Sequence, residues 1–138
     1  MALEQTLILA KPDAVRRSLA GEIVARFERR GFRLRAARFL LVDKPLAEEH
    51  YAEHKEKAFF GELDEFITSG PTLAFVLEGE GVIATARVTI GATNPADAMP
   101  GSIRGALAAA MPDNLVHGSD SPESAKREIA LWFPDGLV

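Results

Sequence analysis

Apolar and polar residues follow one another along this chain in short segments of different period. Short, β-rich apolar runs are typical of strands, and the pattern predicts four of them, at residues 6–10, 32–42, 72–77 and 115–117. Apolar residues three or four positions apart, as at Leu19, Ile23 and Phe27, are typical of amphipathic helices. Helices are predicted at residues 19–30, 46–57, 62–68, 82–90 and 121–133.

The order of these elements predicts the fold class. A strand, a helix and a strand are followed by two helices, and then by a strand, a helix, a long connection, a strand and a helix. Two β-α-β halves joined through a helical insertion indicate an α/β (α+β) sandwich of the ferredoxin-like, split βαβ type, with a four-stranded antiparallel sheet and helices on one side. The long connection, residues 92–113, is predicted to be mostly loop with a functional role. A length of 138 residues fits one domain over 1–138.

Composition restricts the possible function classes. Hydrophobic residues make up 47% and charged residues 26% of the chain, which excludes a disordered or collagen-like protein. The chain has no cysteine, so thiolate nucleophiles, cysteine-bound zinc and iron–sulfur clusters are excluded. Since the sequence also shows neither a signal segment nor a membrane-spanning run, a cytoplasmic protein without membrane contact is expected.

The distribution of charge leaves one alternative open. A net charge of −4 disfavours indiscriminate binding to polyanions. Six arginines nevertheless lie close together, and they form either a solvated surface or the basic surface of a nucleic-acid-binding or regulatory module: Arg26, Arg29, Arg30, Arg33, Arg35 and Arg38. The segment lacks the interleaved aromatic residues of a base-stacking surface, so nucleic-acid binding is the weaker interpretation.

Two of the three histidines lie on one predicted helix. His50 and His54 stand four residues apart, as two metal ligands would. Their neighbours are almost all charged and the H-E-x-x-H order is not met, so a charged helix without a metal is the favoured interpretation. The P-loop, G-x-G-x-x-G and G-x-S-x-G motifs are absent as well.

The third histidine, His117, occupies a position suited to chemistry. It ends an apolar strand and precedes Gly118, whose lack of a side chain permits a close approach. Glu128 on the following helix could accept a proton from one imidazole nitrogen and leave the other to attack a substrate. A buried structural histidine explains the position equally well at this stage.

Three cations and one aromatic pair complete the candidate chemistry. Lys11 follows the first strand, Arg87 lies on the fourth predicted helix, and Arg104 lies in the long loop. Arginine and lysine side chains bind phosphate oxygens, although each residue taken singly is more simply an ordinary surface cation. Phe59 and Phe60 would normally belong to a core, but an exposed member could stack on a base.

The stretch Asn114-Leu115-Val116-His117-Gly118-Ser119-Asp120 resembles the N-x-x-H-G-S-D signature of nucleoside diphosphate kinases. Further blocks are similar to that family in the same order, and the match covers essentially the whole chain: residues 8–15, 51–55, 59–60, 67–71, 91–95, 100–105, 119–125 and 127–130.

This resemblance implies an enzyme that transfers the γ-phosphate of a nucleoside triphosphate, mainly ATP, to a nucleoside diphosphate by a ping-pong route through phosphohistidine. His117 resembles the nucleophile, and Glu128 and Ser119 its supporting partners. Eight residues match nucleotide-binding positions of the family: Lys11, Tyr51, Phe59, Arg87, Thr93, Arg104, Met111 and Asn114. Among them, Phe59 matches the aromatic residue that stacks on the base, which predicts broad base tolerance.

The resemblance also implies a cofactor and an assembly. Mg²⁺ is expected on the nucleotide phosphates, without a dedicated protein cage. A homo-oligomer, either hexamer or tetramer, is expected, although the chain stops at Val138 where many relatives continue. Three departures from the commonest pattern are Ala14, Ala58 and Ala106-Leu107, and the missing carboxylate at Ala106 is expected to loosen the loop that holds Arg104 and to lower turnover.

Overall fold

The computed structural model describes residues 2–52, 57 and 59–138. An antiparallel four-stranded sheet in the order β2-β3-β1-β4 runs through its centre. Its strands are β1 (Leu3–Ala10), β2 (Arg33–Leu41), β3 (Pro71–Glu80) and β4 (Val116–Gly118). The predicted fold class, a sandwich with a four-stranded antiparallel sheet flanked by helices, is confirmed.

Seven α-helices lie within the described residues. Proline occupies the first turn of three of them, where its missing N–H costs nothing. The helices are α1 (Pro12–Arg16), α2 (Ala20–Arg29), α3 (Lys44–His50), α4 (Phe60–Ile67), α5 (Val82–Ile90), α6 (Ile103–Leu107) and α7 (Pro122–Trp132).

Helices cover both faces of the sheet, so the prediction of helices on one side was wrong. Ile8 and Ala10 of β1 pack with buried residues of α2 and α5, whereas Leu7 and Leu9 pack on the opposite face with residues of α3, α4 and α7. A strand buried on both faces has no polar alternation. The uninterrupted apolar run of β1 was therefore a signal for two layers of helices.

Near the site, both boundaries of α3 differ from the sequence prediction, and α4 begins at Phe60, two residues before its predicted start. α3 begins at Lys44, before the predicted start at 46, because the Asp43 carboxylate accepts a hydrogen bond from the Leu46 N–H at 2.9 Å. It ends at His50, and the predicted continuation through 53–56 lies outside the described residues.

The long connection contains a short helix, α6, which the sequence analysis assigned to loop. Ser102 caps it by accepting a hydrogen bond from the Gly105 N–H at 3.0 Å. A Cβ atom at Gly105 would lie 1.9 Å from the Met99 carbonyl oxygen, so the backbone packs here at a distance that only glycine permits. Five residues are too few to show helical periodicity, which is why the helix was missed.

Candidate active site

His117 lies on β4, directly opposite Leu9 of the central strand β1. The following residue, Gly118, brings β4 close to α5, since a Cβ at that position would stand 2.6 Å from the Ile90 side chain. The His117 side chain is about one-quarter exposed, 25% by area, so it is held by the sheet and still reaches solvent. Such a histidine can meet a ligand without moving the backbone.

The His117 ring is held by a carboxylate from α7. Its Nε2 lies 3.0 Å from Oε1 of Glu128, and Ser119 donates a hydrogen bond to the same oxygen at 2.8 Å. Burial alone would raise the pKa of Glu128, but the hydrogen bonds that it accepts from His117 and Ser119 hold that pKa below its usual range. The ionised carboxylate fixes the proton of the neutral ring on Nε2 and leaves Nδ1 as the nitrogen able to attack.

Residues 114–119, called the His117 segment below, begin with an unusual turn. Leu115 is buried and has a φ of 70°, in the left-handed region that non-glycine residues seldom occupy. The Leu115 N–H donates to Oδ2 of buried Asp13 at 2.9 Å, and its carbonyl accepts from the Lys11 N–H at 2.9 Å. These two bonds hold a backbone conformation that would otherwise be strained, directly before His117.

Arg104 fixes the same turn from another side. Its guanidinium donates to the carbonyl oxygens of Asn114 at 3.1 Å, Val116 at 2.5 Å and Gly91 at 3.1 Å. A guanidinium has five N–H donors, so two remain for a ligand. The missing carboxylate at Ala106 was expected to loosen the loop that holds Arg104. The side chain of Arg104 is nevertheless buried and held by three hydrogen bonds.

The three predicted cations lie close enough to affect one another. Burial and the charge of Arg104 lower the pKa of Lys11 to about 8, against the opposing effect of nearby carboxylates. Burial and the charge of Arg87 lower the pKa of Arg104 to about 10. Arg87 also donates to the Gly118 carbonyl at 3.1 Å. Three converging positive charges repel one another, and an anion placed between them would relieve that repulsion.

Asn114 connects the cations to the neighbouring loop. Lys11 Nζ donates to Oδ1 of Asn114, while Nδ2 of the amide donates to the Thr93 carbonyl at 2.9 Å. The ammonium group of Lys11 also lies 5.2 Å from the centre of the Phe66 ring, within range of a cation–π contact. The structure thus brings together Lys11, Asn114 and Thr93, although Thr93 contributes its backbone here.

The remaining predicted residues are Tyr51, Phe59 and Met111, which lie in three separate segments of the chain. Tyr51 follows α3, and burial with the charges of Glu128 and Asp64 raises its pKa to about 12, so it is a neutral hydroxyl at pH 7. Phe59 precedes α4 and is 44% exposed, and Met111, whose sulfur accepts a hydrogen bond from the Asn114 amide at 3.3 Å, is 49% exposed. Exposed apolar side chains of this size are suited to contact the faces of an aromatic ligand.

Sequence reasoning missed two residues that shape the site. His50 was placed on a charged helical surface, yet it is buried against Trp132, whose indole N–H donates to its Nδ1 at 3.1 Å. The other histidine of that pair, His54, lies outside the described residues. The second missed residue is Asp13, whose role depends on Leu115, 102 positions away. Only the tertiary structure reveals such contacts.

The six arginines of residues 26–38 do not form a basic surface free for a polyanion. Glu22 and Glu78 each form ion pairs with two of them, and the other two donate to the Trp132 carbonyl and the Thr89 hydroxyl. Among the described residues, moreover, no helix has the length and hydrophobicity required to cross a membrane.

Comparisons with known proteins agree with this geometry. The family model described as nucleoside diphosphate kinase matches residues 4–138. A relative from Brevibacillus brevis, named nucleoside diphosphate kinase, is 58% identical over 95% of this chain and 89% of its own length. A second relative, from Thermus thermophilus and with the same name, is 56% identical over 99% of this chain and 100% of its own length.

A solved structure is also similar along nearly the whole chain. It is a nucleoside diphosphate kinase family protein from Babesia bovis, with a TM-score of 0.94 and 44% sequence identity over 98% of this chain and 92% of that one. Both the fold and the sequence are therefore shared with proteins that carry this name.

Proposed function

This chain belongs to the nucleoside diphosphate kinase family and is a phosphotransferase, and we propose that it carries the γ-phosphate between nucleotides on His117. The donor is a nucleoside triphosphate, mainly ATP, and the acceptor is a nucleoside diphosphate. The alternative of a nucleic-acid-binding or regulatory module is not supported, because the family match spans the chain and the arginines of residues 26–38 are paired.

One observation carries the proposal: the contact of 3.0 Å between Nε2 of His117 and the Glu128 carboxylate. It selects the tautomer in which Nδ1 keeps its lone pair. That nitrogen attacks the γ-phosphorus, a P–N bond forms, and the bond to the bridging oxygen breaks with its electron pair left on the departing diphosphate. The positive charge that develops on the ring is balanced by Glu128, while the proton stays on Nε2. The second half-reaction reverses these steps with a different diphosphate.

The cations stabilise this transfer by their position. Phosphoryl transfer needs alignment of the attacking and leaving atoms and positive charge around the equatorial oxygens. Lys11, Arg87 and the two remaining N–H groups of Arg104 supply that charge, and Tyr51 supplies a neutral hydroxyl donor. Asn114 and Thr93 complete the proposed nucleotide-binding set, and Lys11 and Asn114, whose side chains are hydrogen-bonded to each other, would contact the sugar hydroxyls.

Base recognition by stacking explains broad tolerance. Phe59 and Met111 offer exposed apolar surfaces, which contact the faces of a base and not its hydrogen-bonding edges. Every nucleobase has such faces, so stacking gives affinity without strong selection.

Magnesium is part of the proposal, carried by the nucleotide. Mg²⁺ prefers oxygen ligands and retains several waters. The metal-binding side chains that the described residues bring together are two imidazoles and one carboxylate, a donor set that does not suit Mg²⁺. The cations around His117 instead fit a phosphate chain that brings its own ion. The ion supplies neutralisation of phosphate charge, while Lys11, Arg87 and Arg104 hold the same phosphates.

We further propose one domain over residues 1–138, in a cytoplasmic homo-oligomer, either hexamer or tetramer. The edge strand β2 is long, and it exposes Phe39 at 64% and Leu41 at 71%. Open edges with apolar side chains favour association with another chain. A light-scattering mass distinguishes the assemblies from a monomer.

Labelling with ATP tests the catalytic proposal. Incubation of the purified protein with γ-labelled ATP and Mg²⁺, without an acceptor, is expected to give a protein-bound label that is labile in acid and stable in base. His117→Gln should abolish the label and keep the fold, checked by circular dichroism. Absence of label on the wild type, or an equal label on the variant, would contradict the proposal.

A further inference from the structure

We propose that His50 is a positioning residue for His117, with its own ring held in one tautomer by Trp132. This inference rests on the proposed function, because it concerns the ring that carries the phosphate. His50 is the last residue of α3 and is 4% exposed. No motif marks it, and its sequence neighbours suggest a charged surface.

The His50 ring lies at the centre of an aromatic contact. Its centroid is 4.7 Å from that of His117 and 5.5 Å from that of Trp132, with interplanar angles of 79° and 87°. The ring of Tyr51 packs on it as well, at 4.8 Å. Edge-to-face packing of this kind restrains the orientation of each ring.

The hydrogen bond from Trp132 determines the tautomer of His50. An indole N–H can only donate, so Nδ1 of His50 must accept and carries no proton. The proton of the neutral ring is therefore on Nε2. A doubly protonated His50 would oppose two N–H groups in a buried contact, so the neutral form is retained.

The tautomer of His50 also determines whether the cluster of His50, His117 and Glu128 can bind a metal ion. Their ligand atoms lie within 4.8 Å of one another, as in a metal site. A metal ion needs an unprotonated ring nitrogen with a lone pair. Nδ1 of His50 is engaged by Trp132 and Nε2 is protonated, so His50 has no lone pair to give. The cluster is suited to orient a ring, and not to bind a metal.

Two contacts together fix the direction of attack. The bond to Glu128 sets the direction of Nε2 of His117, but by itself it permits rotation of the ring about that axis. The perpendicular ring of His50 opposes this rotation, so the Nδ1 lone pair points in one direction. Because His50 is neutral, it does not compete with His117 for the negative charge of Glu128 when the His117 ring becomes positive during transfer.

Histidine nitrogen NMR of the wild-type protein tests the tautomer without using activity. The two-bond proton–nitrogen spectrum is expected to show His50, identified by its loss in His50→Asn, with its proton on Nε2. In Trp132→Phe the same ring should become a mixture of tautomers. A proton on Nδ1 in the wild type would overturn the inference.

A pair of matched variants tests the positioning role in single-turnover labelling by ATP. His50→Asn keeps an acceptor for Trp132 but removes the ring, and we expect labelling at saturating ATP to be about tenfold slower, with half-saturation unchanged. His50→Phe keeps the ring contact and should recover most of the rate, with a lower melting temperature because the indole N–H loses its acceptor. Equal rates for His50→Asn and wild type, or an equally slow His50→Phe, would overturn the inference.

These outcomes are separable from failure of the proposed function. If the wild type takes no label at all, the phosphohistidine proposal is wrong, and the NMR result still decides the tautomer. If the wild type is labelled and the variants do not differ from it, only the role of His50 is wrong.

Discussion

The His117 segment and the helical pair α3–α4 border the same site but are attached to the protein in different ways. The His117 segment is held by buried groups, since the backbone of residues 114–116 receives hydrogen bonds from the Arg104 side chain and donates one to Asp13. The helical pair packs Ala47 and Ile67 into the apolar layer on one face of the sheet, and its polar contacts lie at the exposed rim. Arg127 donates to the carbonyl of Glu49 at 3.0 Å, and the exposed ammonium of Lys44 lies 3.5 Å from the Asp64 carboxylate.

This difference corresponds to what each region does in the proposed reaction. Attack on phosphorus depends steeply on direction and distance, so the nucleophile is held by buried charge and a constrained backbone. Stacking accepts any base, so the aromatic side chain of Phe59 can stand at the exposed start of α4. The comparison predicts large effects on turnover from one region and smaller effects on nucleotide affinity from the other.

The largest effect is expected from Arg104→Ala. It removes a proposed phosphate donor and leaves the carbonyls of Asn114, Val116 and Gly91 without this partner. We expect kcat to fall by about 10²- to 10³-fold. Steady-state kinetics measures this fall, with Arg29→Ala on the exposed face of α2 as the control. An Arg104→Ala enzyme with normal turnover would remove Arg104 from the site.

Glu128→Gln is expected to have the next largest effect. The amide keeps the size of the side chain but removes the charge that balances the His117 ring during transfer. We expect kcat to decrease by about 10- to 100-fold, with little change in the KM for nucleotide. Glu123→Gln, in the exposed first turn of α7, serves as the matched control. A rise in KM with unchanged kcat would assign Glu128 to binding.

A smaller effect on affinity is expected from Phe59→Ala. Loss of one stacking surface costs about 1–3 kcal/mol of nucleotide binding, and kcat at saturation should remain near that of the wild type. Calorimetric titration with ADP and GDP measures the change, and Val88→Ala, at an exposed apolar position of α5, controls for surface effects. If both affinities were unaltered, the base would not stack on Phe59.

The smallest effect is a shift of the pH profile in Asp13→Asn. Lys11 has a pKa of about 8, and the Asp13 carboxylate raises that pKa against burial. In the proposed reaction Lys11 attracts phosphate only when it is protonated, so activity should fall as the pH rises through about 8 in the wild type. Removing the negative charge lowers the pKa of Lys11, and the alkaline limb should move to lower pH. An unmoved limb would show that another group controls it.

Much of the sheet and of the His117 segment followed from the sequence, for identifiable reasons. The apolar runs in β1 and β3 specify buried strands. His117 on β4, Ser119 in the turn that follows and Glu128 on α7 lie close together in sequence, so local structure brings them together. The covering of both sheet faces was missed because the absence of alternation was not used to place the helices.

Other features of the site could not be predicted because they depend on distant contacts. The left-handed conformation of Leu115 is stable only with Asp13 and Lys11 beside it, and nothing in the local sequence marks a leucine for that region. Burial of His50 against Trp132 depends on the way α7 crosses α3, and the charged neighbours of His50 indicated exposure instead.

The close backbone approach at Gly105 restricts which residues can occupy that position. Even alanine at that position would collide with the Met99 carbonyl oxygen, so no other residue fits there unless the backbone of the connection moves. The adjacent Ala106 is exposed, so a larger side chain there would extend into solvent. Two neighbouring positions of the same loop therefore differ in the side-chain volume that they can accept, none at Gly105 and more at Ala106.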